Sequence, residues 1–129
     1  MNVTKWVPGQ AWGATFTVGD EGTNAVIVTI QLTDFAGNDL TVPNSVTAYL
    51  ASDVAGLEIK ASTVTTETAI SSGTGSLAVL AAGQVYQLVS EADGDIAITI
   101  SDNTADTYYV VVVLPNGKLA VSSVATFTA

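Results

Sequence analysis

Between Val26 and Leu32 every second residue is aliphatic: Val26, Val28, Ile30 and Leu32 share one side, while Thr29, Gln31 and Thr33 share the other. A period of two is the spacing of an extended strand with one buried face. The same period returns in Trp12-Ala14-Phe16-Val18, in Val46-Ala48-Leu50, in Leu57-Ile59-Ala61 and in Ile96-Ile98-Ile100. No segment repeats apolar residues at the 3.6-residue spacing of a helix, so the chain reads as all-β. Val, Thr and Ile supply one third of its residues, as strands favour.

Turn chemistry divides these runs. Asp20-Glu21-Gly22, Asp34 to Asp39, Asp53 to Gly56, Ala92-Asp93-Gly94 and Pro115-Asn116-Gly117 each place Asp, Asn or Gly where a chain reverses. The last suits a three-residue hairpin loop with Gly117 in the left-handed position. The spacing predicts strands over 12–18, 25–33, 46–51, 57–62, 84–90, 95–101, 107–114 and 118–127, with a bulge at Ser122-Ser123. Residues 62–83, rich in Ser, Thr, Gly and Ala, read as a loose edge strand or a long surface loop. Seven to nine short strands separated by turns describe a β-sandwich or a small barrel. At 129 residues the chain makes one domain, residues 13–129, preceded by an irregular N-terminal arm, residues 1–12.

The residue types present exclude much chemistry. There is no Cys and no His, hence no disulfide, thiol nucleophile, imidazole base or imidazole metal ligand. With no catalytic constellation in what remains, no enzyme activity and no cofactor are expected. Twelve Asp and Glu against three Lys give a net charge of −9. Nucleic-acid and anionic-membrane partners are therefore not expected. Glu91, Asp93 and Asp95 read as a solvated turn and not a calcium site, because the acidic run of a calcium loop is missing. No signal-type apolar run opens the chain and no stretch of about 18 apolar residues crosses a membrane, so a protein made in a cytoplasm, or assembled there, is expected.

Two regions read as contact surfaces. In the arm, Lys5, Trp6, Val7 and Pro8 precede Trp12; large aromatics beside a Pro-Gly pair can anchor on a neighbouring subunit. In the strand from Thr107 to Leu114 both faces are apolar, so Tyr109, Val111 and Val113 need a cover beyond the domain's own core. That cover is either a loop or arm drawn from residues 62–83, or else another subunit, in a homo-oligomer or a larger assembly. Tyr49 and Tyr86 are the aromatics available for a glycan platform if the domain is instead an adhesion module.

Val28 to Leu40, Val-Thr-Ile-Gln-Leu-Thr-Asp-Phe-Ala-Gly-Asn-Asp-Leu, is similar to the strand-turn-strand of bacterial immunoglobulin-like domains. Asp95 to Leu114 resembles an immunoglobulin E strand, E–F corner and F strand, which makes Tyr108 the corner tyrosine, its hydroxyl bonding back to upstream backbone. The paired cysteines and core tryptophan of antibody domains are absent. Over the whole chain, Lys5 to Ala14, Glu91 to Asp95 and Val113 to Leu119 resemble small structural proteins of tailed-bacteriophage virions.

That resemblance implies an immunoglobulin-like sandwich that decorates, or cements, the phage head. Its partner would be the major capsid protein or another virion subunit, contacted through the arm and the apolar sheet face. A tail, baseplate or fibre position is the alternative within the same setting. The acidic charge favours the outer capsid surface, away from packaged DNA.

Overall fold

The computed structural model describes residues 10–59, 66–70, 74–81, 84–102 and 105–128. Among these described residues ten strands follow in order: β1 (Gly13–Val18), β2 (Ala25–Thr33), β3 (Ser45–Ala51), β4 (Thr66–Ile70), β5 (Ser76–Ala81), β6 (Val85–Val89), β7 (Asp95–Ser101), β8 (Asp106–Val113), β9 (Leu119–Val121) and β10 (Ala125–Phe127). One sheet has the order β1-β2-β7-β4. The other has the order β10-β8-β3-β6-β5, with β9 also paired to β8. All pairings are antiparallel.

With β1, β2, β4 and β7 as strands A, B, D and E, the first sheet has the A-B-E-D order of an immunoglobulin domain. The second has G-F-C order, in which β9 and β10 are two halves of an interrupted G strand. A β5–β6 hairpin between D and E extends the second sheet beyond C. The fold is an immunoglobulin-like β-sandwich.

The period of two in the sequence sets the core. Val26, Val28, Ile30 and Leu32 of β2 and Ile96, Ile98 and Ile100 of β7 point inward from the first sheet and are fully buried. From the second sheet they meet Val46, Ala48 and Leu50 of β3, Tyr86 and Leu88 of β6, and Tyr108, Val110 and Val112 of β8. Phe127 closes one end, its ring edge-on to Tyr108 with centroids 5.7 Å apart. Each Val, Leu, Ile and Phe among them contributes about 1.5–3 kcal/mol by leaving water.

Strand direction defines two poles. The upper pole carries residues 10–12, the 34–44 connection and the turns at 90–94 and 114–118. Three of these turns close alike: Gly37, Gly94 and Gly117 have φ near +85° and each donates its N–H to the residue three earlier. This is the type I turn with a left-handed glycine expected of Pro115-Asn116-Gly117. The lower pole carries 19–24, the loop after β3, residue 84 and the start of β8.

Three expectations change. Of the half-buried strand expected over 57–62, residues 60–62 lie outside the described residues, and residues 57–59 do not form it: Leu57 and Ile59 are exposed and a single bridge pairs Ile59 with Ala51. The 62–83 region is neither one edge strand nor one loop; it contributes β4 and β5 to opposite sheets. The last strand is broken outright, because Ser122 turns its hydroxyl inward to accept the Val110 N–H at 2.9 Å and donate to the Ser123 carbonyl at 2.7 Å.

Candidate interaction surfaces

Lys5, Trp6, Val7 and Pro8 lie outside the described residues. Ala11 and Trp12 are built onto the sandwich. Ala11 is fully buried and its N–H donates to the Asn44 side chain at 3.0 Å; the Trp12 N–H donates to the Thr33 carbonyl at 2.8 Å. The half-buried Trp12 ring meets exposed Phe35 edge-on, centroids 5.2 Å apart, and Asn116 donates to the Trp12 carbonyl. Trp12 is thus a side chain of the upper pole that the body itself positions.

The apolar second face of β8 is covered at Val111 by a segment outside both the arm and residues 62–83. The loop after β3 folds back over it. Gly56 is buried, with φ +72°, and a Cβ there would lie 2.9 Å from Val111 Cγ2 and 3.0 Å from Val121 Cγ2. Glycine is required by both the conformation and the space. Val111 is consequently fully buried and is withdrawn as a partner contact, whereas Tyr109 and Val113 on either side remain half-buried.

Hydrogen bonds fix this loop. The Tyr49 hydroxyl donates to the Gly56 carbonyl, and the Asp53 carboxylate accepts the N–H groups of Leu57 and Glu58 at 3.2 and 3.0 Å. Burial, and then the nearby Asp53 charge, push the Tyr49 pKa up. The loop holds Val54, Leu57 and Ile59 70, 79 and 47% exposed. The alternation of Leu57 and Ile59 with Glu58 and Lys60 imitates a strand; Asp53 and Gly56 were the sequence signals of the tight loop that replaces it.

Tyr86 is buried, so it forms no aromatic platform with Tyr49, itself half-buried with its hydroxyl on Gly56. The corner tyrosine takes a different acceptor from the one expected: the Tyr108 hydroxyl donates to the buried Asp102 carboxylate at the end of β7. Burial, and then this bond, push the Tyr108 pKa far above its ordinary value.

Charge is distributed unevenly. Among the described residues none of β1, β2, β3, β5, β6, β9 and β10 carries a charged side chain. Asp34, Asp39, Glu91, Asp93 and Asp95 gather on the upper pole; Asp20, Glu21, Asp53, Glu58, Asp102 and Asp106 gather on the lower one. Burial, and then Asp93, Asp39 and Glu91, raise the Asp95 pKa. No group of three acids among the described residues is arranged to hold a metal ion, and no cavity occurs among them. No described helix is long and apolar enough to cross a membrane.

No protein-family model matches the chain, and no curated protein does. Among solved structures, a cohesin module from a family 33 glycoside hydrolase of Clostridium perfringens is similar over 92% of this chain and 94% of that chain, at 13% identity and a TM-score of 0.45.

Proposed function

We propose that this chain is a structural component of a tailed-bacteriophage virion, a decoration protein bound to the major capsid protein on the outside of the head. It works without chemistry, by adding buried contact across joints between shell subunits. The resemblance of Lys5 to Ala14, Glu91 to Asp95 and Val113 to Leu119 to phage virion proteins supports the setting.

The observation that carries the reading is the segregation of charge. Eleven of the twelve acids fall at two poles, Glu67 of β4 being the exception, and seven of the ten described strands carry no charged side chain. Packing an uncharged face against a neighbour avoids the desolvation of ions. Acidic poles are easier to place outside a DNA-filled shell than inside it.

Quantitative mass spectrometry of separated heads and tails, from the phage that encodes the chain, tests this reading. Recovery with heads, at a fixed ratio to the major capsid protein, is the expected result. Recovery with tails alone, or absence from particles, overturns it.

A further inference from the structure

The loop after β3 combines rigidity with apolar exposure. Its backbone is held by Asp53, by the Tyr49 hydroxyl, by the Ser52 N–H on the Glu58 carbonyl at 3.1 Å, and by the Ser52 hydroxyl on the Glu58 carboxylate at 2.6 Å. Gly56 presses it onto Val111. On this fixed frame stand Val54, Leu57 and Ile59, the first two with most of their surface in water. A preordered loop loses little conformational freedom on binding, and a partner that buries its apolar side chains gains their full transfer energy.

We infer that residues 52–59 are a docking element beside the uncharged strand faces, and that Val54 and Leu57 enter an apolar depression rimmed by Lys or Arg on a different protein. The rim follows from charge. Glu58 is exposed beside Leu57, Asp53 lies at the base of the loop, and Asp20, Glu21 and Asp106 share the same pole. A second copy cannot supply the complement, because the chain has three basic residues and −9 net charge. This assignment rests on the reading of the chain as a head component, and it places the depression on the outer surface of the shell.

The test uses heads from a phage deleted for this chain, titrated with the full-length wild-type protein, with Val54→Ser/Leu57→Ser and with Glu58→Gln. Wild-type binding should saturate. The double variant should bind about tenfold or more weakly with an unchanged urea midpoint, and Glu58→Gln about twofold or more weakly. Raising salt from about 50 to about 500 mM should weaken wild-type binding. Equal binding by wild type and double variant overturns the loop assignment and leaves the head location standing. No wild-type binding overturns both. A wild-type dimer that Val54→Ser/Leu57→Ser converts to monomer in sedimentation makes a second copy the occupant, and overturns the assignment to a different protein.

Discussion

The Tyr49 hydroxyl and the Gly56 carbonyl lie 2.5 Å apart, and this hydrogen bond ties the loop after β3 to the sheet it covers. Gly56→Ala should therefore cost about 1–3 kcal/mol, from the positive φ and from the contact a Cβ would make with Val111. Tyr49→Phe removes only the bond and should cost about 1 kcal/mol. Urea unfolding of both variants measures the two effects. A Gly56→Ala protein as stable as wild type would mean that the loop does not lie on Val111.

The Tyr108–Asp102 pair makes stability fall in alkali. A tyrosine whose pKa is raised by folding holds its proton more tightly in the folded state than in the unfolded one. Its contribution is complete below the ordinary value of 10.0 and is lost as pH climbs above it. Tyr49 shifts in the same direction, so Tyr108→Phe should flatten the decline above pH 10.0 without abolishing it. At neutral pH the variant should lose about 1–3 kcal/mol, because the buried Asp102 carboxylate loses a donor. Urea midpoints measured from neutral pH upward give both quantities.

Asp95 behaves in the opposite sense to a stabilising carboxylate. Its pKa is raised by burial and then by Asp93, Asp39 and Glu91, so the folded state keeps the proton that the unfolded state releases above 3.8. Ionisation at neutral pH therefore opposes folding. Asp95→Asn should raise the urea midpoint at neutral pH, and the gain should disappear below pH 3.8, where the unfolded carboxyl is also protonated. A lower midpoint at neutral pH would contradict this.

Ser122 stands in for the missing middle of the G strand. Its hydroxyl accepts the Val110 N–H and donates to the Ser123 carbonyl, and its own N–H donates to the Val110 carbonyl at 2.9 Å. Ser122→Ala leaves a buried amide without that acceptor and should cost about 1–3 kcal/mol. Hydrogen exchange at the Val110 amide should accelerate by more than exchange at Ile98, in the opposite sheet.

The core was legible because its strands bury one face each. Val26 to Leu32 and Ile96 to Ile100 announce their inward sides by alternation alone, and the structure buries those residues. The turns were legible for a related reason, since Pro115-Asn116-Gly117 and Ala92-Asp93-Gly94 carry the residues that a left-handed step requires. In the loop after β3 only the turn at Asp53 to Gly56 was legible. Leu57 and Ile59 alternate like a strand, and nothing in that pattern reveals that the Asp53 carboxylate has taken the Leu57 and Glu58 amides a ladder would use. The cover over Val111 was hidden for the same reason: it depends on where Gly56 lands across the sheet. Of the proposed contacts, Trp12, Tyr109 and Val113 keep some exposure, Val111 loses it, and Val54 and Leu57 stand out only once the loop is placed.

A decoration protein would strengthen a phage head by binding its outside. Heads from a phage deleted for this chain, heated with and without the purified protein, test it directly through the temperature at which packaged DNA becomes accessible to an added dye. Saturable binding and a higher release temperature on add-back are the expected results. Heads that bind no protein, or that release DNA at the same temperature when saturated with it, would contradict it.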